Sequence, residues 1–369
     1  CSLRPHEEKL CFSAVFELNE KAKVCNEWFG RTVILSNHRF TYEDAQDIII
    51  NKKGKYAEEL LKLDSLAKIL RNKRIKNGAI SFERLETKFK IDEEGNPISI
   101  YFKESKDAHK LIEEFMLLAN RKVAEYIGKQ SLTFVYRIHD SPDPDKLDVL
   151  SIFLKKFGYN LQTENKKTIA QSMNKVLKDI QGSQEANMIE TLSIRTMAKA
   201  VYTTENIGHY GLGFNHYTHF TSPIRRYPDV MVHRLLQHYL EGGKSYNKNN
   251  IENLCKHSSE MEIIASKAER DSIKYMQTKY ISQFVGHIFD GIISGVTDFG
   301  IFVEVKNTSC EGLIKLKNIP GDFYIYDEKN YCIYGNQTKR SFTLGDSLKV
   351  KIRKVDIEKR EIDMVIINI

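Results

Sequence analysis

Alternating apolar and polar residues predict β-strands in the first third of the chain. In the segment 8–18, every second residue from Leu10 onward is apolar, which gives the segment one apolar face and is typical of a half-buried strand. A polar break and a second alternating run complete a predicted β-hairpin over 8–37. The segment 78–102 alternates again on both sides of a turn at 94–97, so it predicts further strands.

Apolar residues at helical spacing are frequent in the rest of the first 285 residues. In the segment 106–129, Leu111, Phe115 and Leu118 recur at steps of three or four, so they share one face of an amphipathic helix. The predicted helical segments are 41–77, 106–129, 147–159, 182–203, 228–241 and 251–284.

The pattern changes after about residue 285. Short β-rich runs, separated by glycines and turn residues, continue to the end of the chain. Several short strands at close spacing are typical of a small barrel. We therefore predict two domains, an α+β domain over 1–285 and a small all-β barrel over 286–369.

Composition and charge narrow the classes of protein. With 41% hydrophobic and 28% charged residues among 369, the chain is not collagen-like, of low complexity or largely disordered. The formal net charge is +7, and residues 286–369 hold 12 basic and 12 acidic side chains, so the excess lies in the larger domain. This excess, and the basic run 68–76 within it, fits either an RNA partner or an ordinary solvated surface.

The cysteines and the apolar runs bear on the compartment. None of the six cysteines forms a C-x-x-C pair, so their spacing indicates neither a disulfide framework nor a zinc knuckle. No apolar run approaches the length of about 18 residues that a membrane span needs. We expect a cytoplasmic monomer without membrane contact. Because a strand pattern follows Cys1 almost at once, we interpret the chain as part of a longer protein.

The segment 207–234, IGHYGLGFNHYTHFTSPIRRYPDVMVHR, carries the candidate chemistry. Five of the eleven histidines lie in it or just beyond it. His216 and His219 are three apart, yet no H-E-x-x-H pattern is present and no acid lies between them, which disfavours a zinc site. A nucleophilic Ser222 is also disfavoured, because the G-x-S-x-G turn is missing and Pro223 follows directly.

Two interpretations of this segment stay open. In the first, the histidines satisfy backbone groups of a loop, and Arg225 or Arg226 pairs with Asp229 at the start of a helix. In the second, both arginines bind phosphate, because guanidinium presents a planar fork to phosphate oxygens and keeps its charge. Nearby aromatic residues fit the second interpretation, since single-stranded bases stack on aromatic rings. These residues are Tyr210, Phe214, Tyr217, Phe220 and Tyr227.

The long motif GHYGLGFNHYTHFTSPIRRYPDVMVHRLL closely resembles the signature of the ribonuclease II family, in its ribonuclease R branch. Other segments match in the same order: CSLRPHEEKLCFSAVFEL, GAISFE, LIEEFMLLAN, FVYRIHDSPDPDK, LSIRTMAKAVY and ASKAERD. The tail, from GIISGVTDFGIFVEV to LGDSLKVKIRKVD, resembles the OB-fold RNA-binding domain that follows the catalytic domain in this family. The resemblance covers essentially the whole chain and implies an incomplete RNB-type catalytic domain followed by an OB-fold barrel.

This resemblance implies a processive hydrolase that degrades single-stranded RNA from its 3′ end to nucleoside 5′-monophosphates. Family members hold Mg²⁺ with an aspartate cluster, D-x5-D-x-D-D-A, upstream of the segment that CSLRP resembles, and 1–369 contains no equivalent. The aspartates within 140–148 are expected to form a loop and to cap a helix. The resemblance therefore predicts an enzyme when the protein is intact and inactivity for 1–369 alone; the rival hypothesis is an RNA-binding protein that does not cut.

Several positions match family positions near the 3′ end of bound RNA. The resemblance assigns the catalytic grip on the scissile or adjacent phosphate to Arg225, and the phosphate-binding interpretation adds Arg226. Tyr42, in FTYED, corresponds to a tyrosine near the terminal ribose, and Glu113 or Glu114, in LIEEFM, to an acid on that ribose. A carboxylate that accepts from the 2′-hydroxyl distinguishes RNA from DNA.

Five further positions complete the expected RNA contacts. Phe82, in AISFE, resembles one half of an aromatic clamp on the terminal bases, with core packing as the alternative. Glu269, in AERD, matches an acid near the RNA channel. Phe299 and Phe302 resemble exposed stacking aromatics, although their spacing of three in a strand-like run predicts that at least one belongs to the core. Lys315 replaces a histidine of the family and keeps a cation.

Overall fold

The computed structural model describes residues 2–82, 86–183, 186–328 and 332–367. The helices are α1 (Tyr42–Asn51), α2 (Ala57–Lys76), α3 (Asp107–Gly128), α4 (Pro144–Lys156), α5 (Lys166–Asp179), α6 (Ala186–Thr196), α7 (Tyr227–Leu240) and α8 (Lys248–Ile281). The strands of the larger part are β1 (Glu8–Leu18), β2 (Val24–Leu35), β3 (Glu86–Ile91), β4 (Pro97–Lys103), β5 (Tyr136–Ile138) and β6 (Val201–Thr203). The strands that follow α8 are β7 (Ile288–Thr297), β8 (Gly300–Val305), β9 (Cys310–Lys315), β10 (Tyr324–Asp327), β11 (Cys332–Gly335), β12 (Ser341–Thr343), β13 (Ser347–Asp356) and β14 (Glu361–Ile366).

The predicted hairpin near the start of the chain is confirmed. β1 and β2 pair antiparallel over their whole length, with a bulge next to Leu18. Because alternate residues of a strand point to the same side, Phe12, Ala14 and Phe29 face one cluster of buried side chains. α3 and α7 supply much of the rest of this cluster, so the hairpin covers the helix that carries Glu113 and Glu114 and the helix that begins directly after Arg226.

The helix predicted over 41–77 is two helices, α1 and α2. Lys52 ends α1 in the left-handed conformation, with φ of 57°. Gly54 follows with φ of 137°, a region that glycine adopts without steric cost. The break lets α1 and α2 pack separately against α3. The helices predicted over 106–129, 228–241 and 251–284 are confirmed as α3, α7 and α8.

The prediction of one helix over 182–203 is wrong at its C-terminal end. α6 ends at Thr196, and Val201–Thr203 form β6, which pairs antiparallel with β5. β-branched and aromatic residues favour strands, but the partner strand lies far earlier in the chain, so local periodicity does not show the pairing. Helix α5 was not predicted, although Ile169, Met173 and Val176 recur at helical spacing on its buried face.

The predicted barrel is confirmed. Five strands close in the order β13–β14–β9–β8–β7, an arrangement consistent with an OB-fold. Ile293, Ile301 and Val303 are among the buried side chains that fill it. β10, β11 and β12 form a separate three-stranded sheet in the connection between β9 and β13. The α+β class of the larger part is confirmed as well.

The barrel and the larger part share one continuous cluster of buried side chains. Ile301 and Val350 of the barrel belong to the same cluster as Leu154 of α4, Met173 of α5 and Ile189 of α6. The predicted boundary between 285 and 286 falls in the connection from α8 to β7 and stays a prediction. Among the helices of the described ranges, none is both long and apolar enough to cross a membrane.

Candidate nucleic-acid interface

The aromatic loop before α7 is fixed by buried hydrogen bonds. Asn120, buried on α3, donates from Nδ2 to the Tyr217 hydroxyl at 3.1 Å and accepts from the Phe220 backbone N–H at 2.9 Å. The Thr218 hydroxyl donates to the Val135 carbonyl at 2.6 Å. Because buried polar groups are costly to leave unpaired, these bonds hold the loop in one conformation.

Histidines in and beside this loop differ in their hydrogen-bond partners. The Gly211 N–H donates to His139 Nδ1 at 2.9 Å, and His139 Nε2 lies 2.8 Å from the Ala198 carbonyl. The Tyr202 hydroxyl lies 2.7 Å from His219 Nδ1. Burial lowers the pKa of His209 to about 3 and that of His219 to about 2, so both rings are neutral at pH 7. His219 thus has a structural partner, in line with the first of the two open interpretations, whereas the buried Nδ1 of His209 has no hydrogen-bond partner among the described residues.

The two adjacent arginines have different surroundings. Arg226 pairs with the fully buried Asp229, with Nη2 3.0 Å from Oδ1 and Nε 2.9 Å from Oδ2. The Ser222 N–H also donates to Asp229, at 2.7 Å, which closes the turn that begins α7. Arg225 is exposed beside this pair. The structural interpretation thus describes Arg226, while phosphate contacts by Arg225 and Arg226 stay predictions.

The two candidate glutamates of α3 share one arginine. Arg74, at the end of α2, donates to Glu114 from Nη2 at 2.5 Å and from Nε at 3.2 Å, and to Glu113 from Nη2 at 3.3 Å. Glu114 is 4% exposed, whereas Glu113 is half-exposed. Only Glu113 therefore presents free carboxylate surface to solvent. Sequence patterns pointed to the basic run that includes Arg74, but not to this buried ion pair.

Phe82 and Glu113 line the same cavity, which has a volume of about 780 Å³. Arg71, Arg74 and Lys110 add cationic groups to its wall. Phe82 also packs against the main cluster of buried side chains, as the core-packing alternative predicts, while its role as a clamp on RNA bases stays a prediction. An aromatic ring, three carboxylates and several cations line this cavity, a set of groups that fits a base, a ribose and a phosphate.

Tyr42 lies one helical turn away from Glu113. Its ring stacks on His109 of α3, with 4.1 Å between ring centroids and 8° between planes. Lys103 Nζ lies 5.9 Å from the centroid of Tyr42. Burial, together with the nearby Lys103 charge, lowers the pKa of His109. His109 and Glu113 are four residues apart and therefore lie on the same face of α3. Tyr42 packs against this face through His109, one helical turn before Glu113.

Glu269 is not part of this cavity. It is exposed on α8, a helix that packs against β4. Its charge contributes to the raised pKa of Lys88 on β3, where the hydrogen bond from Lys88 to Glu86 is the larger cause. A contact between Glu269 and RNA stays a prediction.

In the barrel, the expectation that Phe299 or Phe302 belongs to the core is wrong. Phe299 is 54% exposed in the turn between β7 and β8, so strand alternation does not govern it. Phe302 is partly exposed on the outer face of β8, and its ring meets Phe299 edge to face at 5.9 Å. Lys315 lines a cavity with Phe299, and its Nζ lies 3.5 Å from Asp363. Their RNA contacts stay predictions.

The described residues do not fit a magnesium site. Within those ranges, no group of three or more histidine, cysteine or acidic side chains could hold a metal ion. Asp143 accepts from the N–H of Asp145 at 3.0 Å and caps α4, as predicted for this acidic loop. Asp140 accepts from the N–H of Ser141 at 2.6 Å.

Comparisons with known proteins divide the chain into two parts. Residues 1–242 match the model of the RNB domain, and residues 282–367 match that of the S1 RNA binding domain. The chain is 37% identical to "Ribonuclease R" of Aquifex aeolicus over 377 residues, which is 100% of this chain and 53% of that protein. It is 32% identical to "Ribonuclease R" of Escherichia coli over 386 residues, 100% of this chain and 47% of that protein.

A solved structure is similar over the whole chain. Ribonuclease R of Mycoplasma genitalium, in complex with ribose-methylated single-stranded RNA, superposes with a TM-score of 0.91 at 27% identity, over 100% of this chain and 59% of that one. The chain thus spans about half the length of the curated relatives it matches. Because the RNB model covers more than half of the residues, the chain belongs to the RNB domain family, is ribonuclease R-like over its whole length and carries an S1 RNA-binding domain at its end.

Proposed function

We propose that the intact protein is a 3′→5′ exoribonuclease that degrades single-stranded RNA processively to nucleoside 5′-monophosphates, and that this chain supplies much of its RNA-binding surface. The observation that carries the proposal is the cavity shared by Phe82, Glu113 and Arg74. Its chemistry fits the 3′ end of RNA, and the similar structure from Mycoplasma genitalium is a complex with single-stranded RNA. We further propose that the protein is a cytoplasmic monomer.

Each side chain has a distinct role in this proposal. The Phe82 ring stacks on a base near the 3′ end. The Glu113 carboxylate accepts a hydrogen bond from a ribose 2′-hydroxyl, and Arg74 orients that carboxylate by donating to it. Tyr42 borders the terminal ribose. Arg225 donates two parallel hydrogen bonds to a phosphate, which holds the strand in register for cleavage.

We propose that hydrolysis by the intact protein depends on magnesium, which activates water and stabilises a leaving oxygen in phosphoryl chemistry. The described residues hold no group that could bind this ion, so its ligands are proposed to lie elsewhere in the intact protein. Residues 1–369 alone are expected to bind RNA and to leave its 3′ end uncut in millimolar magnesium. Steady release of mononucleotides by the purified chain would contradict this expectation.

The role of Glu113 is tested by the preference for RNA over DNA. We expect Glu113→Gln to reduce the ratio of affinities for RNA and DNA oligonucleotides of the same sequence, because a neutral amide is a weaker acceptor for the 2′-hydroxyl. Fluorescence anisotropy with the 369-residue chain measures both affinities. Glu104→Gln, in the same cavity but not assigned to the ribose, is the matched control. An unchanged ratio in Glu113→Gln would remove this residue from ribose recognition.

The second candidate function is an RNA-binding protein that does not cut. The match of residues 282–367 to the S1 RNA binding domain supports RNA binding, which this candidate shares with the first. The two candidates separate in the intact protein with an RNA labelled at its 5′ end. An exonuclease shortens the labelled RNA stepwise from its 3′ end and releases 5′-monophosphates. A binding protein leaves the labelled RNA at full length.

A further inference from the structure

The Tyr42 side chain is exposed at the start of α1. Tyr42 is the first residue of that helix, and its side chain is 42% exposed. Among the residues that the structure describes, its hydroxyl has no hydrogen-bond partner, so it is available to a ligand. Exposed side chains change rotamer within nanoseconds unless a neighbour packs against them. The ring therefore needs a packing partner if its hydroxyl is to keep one position.

His109 of α3 is the packing partner of this ring. The two rings are nearly parallel, with 4.1 Å between centroids and 8° between planes. Because one face of the Tyr42 ring is covered in this way, only rotamers that keep the two planes together preserve the contact. The stack thus fixes the plane of the Tyr42 ring relative to α3.

His109 is itself held at the junction of two helices. Its Nδ1 accepts from the Lys106 backbone N–H at 3.4 Å, which caps the N-terminus of α3. The Ala108 N–H donates to Oε1 of Gln46 at 3.0 Å, and both residues are buried. Gln46 lies on α1, one turn after Tyr42. The stack therefore joins two helix ends that a buried hydrogen bond already ties together.

The second ring nitrogen of His109 takes no part in holding the fold. Nε2 is buried and has no hydrogen-bond partner within the described ranges. Burial, together with the Lys103 charge, lowers the pKa of His109, so the ring is neutral at pH 7, with its proton on Nε2 because Nδ1 accepts. A buried donor without a partner costs free energy. Apart from the cap, the contribution of this ring is its face against Tyr42.

The stack lies beside the cavity that contains Glu113. Lys110 and Glu113 of α3 both line that cavity, whereas His109 does not. His109 precedes Glu113 by one helical turn, a rise of about 6 Å along the helix axis. A ribose that contacts Glu113 is therefore next to the stack of Tyr42 and His109.

We propose that His109 is a positioning residue, which holds the Tyr42 ring by stacking so that the Tyr42 hydroxyl donates to the 2′-oxygen of the terminal ribose while Glu113 accepts from the same hydroxyl group. A ring that is ordered before binding loses little conformational freedom when the ribose arrives. The inference rests on the proposed function, which places a terminal ribose beside Glu113. It adds a residue outside the cavity that sets the preference for a 3′-terminal ribose.

The test uses two RNA oligonucleotides of one sequence that differ in the 3′-terminal sugar, ribose in one and 2′-deoxyribose in the other. Fluorescence anisotropy with the 369-residue chain gives the ratio of the two affinities. Tyr42→Phe should lower this ratio about fivefold, the effect of one lost hydrogen bond. His109→Gln keeps an acceptor for the Lys106 N–H but loses the ring, and should lower the ratio about threefold, because Tyr42 must then be ordered on binding.

Two further variants separate positioning from folding. His109→Phe keeps the stack and loses the cap, so it should keep the ratio of the unmodified chain whatever urea denaturation shows for its stability. In the Tyr42→Phe background, His109→Gln should have no further effect on the ratio, because both substitutions act through one contact. His238→Gln removes a ring that contacts Tyr246 at 4.8 Å at the end of α7, and serves as the matched control.

The outcomes separate this inference from the proposed function. An unchanged ratio in His109→Gln would overturn the inference, as would an equal fall of the ratio in the Tyr42→Phe background, since His109 would then not act through Tyr42. A ratio that falls as far in His109→Phe as in His109→Gln would overturn it too, because stacking would not be the cause. If the unmodified chain binds both oligonucleotides equally, the ribose contact of the proposed function fails, and the inference fails with it.

Discussion

At the scale of single residues, substitutions of the two neighbouring arginines should affect different properties, RNA contact for Arg225 and stability of the fold for Arg226. Arg225→Ala should leave the free energy of unfolding nearly unchanged, because the side chain is exposed, and should lower turnover by the intact protein. Arg226→Ala should lower the free energy of unfolding by about 3 kcal/mol, because it leaves the buried Asp229 without its ion-pair partner. Urea denaturation of the 369-residue chain and turnover of the intact protein measure the two effects.

The conservative variant sharpens the test of Arg225. Arg225→Lys keeps the charge but loses the planar fork, so we expect only partial rescue of turnover. Full activity of Arg225→Lys would contradict a bidentate contact between the Arg225 guanidinium and a phosphate. A loss of stability in Arg225→Ala equal to that in Arg226→Ala would show that both side chains act in folding.

Residue types predicted some members of the site but not the contacts among them. The resemblance pointed to Phe82 and to a choice between Glu113 and Glu114, and the structure places Phe82 and Glu113 in one cavity. The two glutamates differ in burial beside Arg74, which pairs with both of them only because the end of α2 packs against α3. Such a contact spans about 40 residues of sequence, and no local pattern reports it.

At the scale of elements, a carboxylate on α8 anchors β6. Glu252 accepts from the Thr204 N–H and hydroxyl, both at 2.7 Å, and from the Thr203 hydroxyl at 3.0 Å. Desolvation of the carboxylate raises its pKa, but these hydrogen bonds outweigh it and lower the pKa of Glu252 below its ordinary value of 4.5. The ionised form is therefore favoured in the folded protein.

This pKa shift predicts a pH-dependent contribution to stability. A carboxyl with a lowered pKa in the folded state stabilises the fold above its unfolded pKa, and the contribution is lost as the pH falls from about 4.5 through the folded pKa. Glu252→Gln should remove it, so the difference in free energy of unfolding between the two proteins should shrink below pH 4.5. Denaturation at a series of pH values measures the difference. A difference independent of pH would contradict the role of the charge.

The same elements show where local periodicity suffices. The hairpin of β1 and β2 and the long helices α3, α7 and α8 carry strong patterns, and the structure confirms them. β5 and β6 have three residues each and pair with each other. Three residues are too few to show the alternation of apolar and polar positions that predicts a strand. The division between α1 and α2 follows from the left-handed backbone at Lys52 and the glycine after it.

At the scale of the whole molecule, the change from helical spacing to short β-rich runs near residue 285 marks the start of the barrel, but the buried core continues across it. The barrel residue Ile301 and the α6 residue Ile189 belong to one buried cluster. Removing the barrel would expose the apolar faces of α4, α5 and α6 to water, at a cost proportional to the apolar area uncovered. The contribution of the barrel to RNA binding is therefore better measured by surface substitutions than by truncation.

The net positive charge of the chain lies in its larger part, and the dependence of RNA binding on salt separates phosphate contacts from stacking. Residues 286–369 hold 12 basic and 12 acidic side chains, so the net charge of +7 lies in residues 1–285. The logarithm of the affinity falls with the logarithm of the salt concentration, and each lost phosphate contact reduces the steepness of this fall by about 0.7 for single strands. Stacking releases no counterions, so its loss leaves the steepness unchanged. Between about 50 and 200 mM salt, Arg225→Ala should flatten this slope, and Phe299→Ala should weaken RNA binding by one constant factor. A flattened slope in Phe299→Ala would instead indicate that its loss disturbs a phosphate contact.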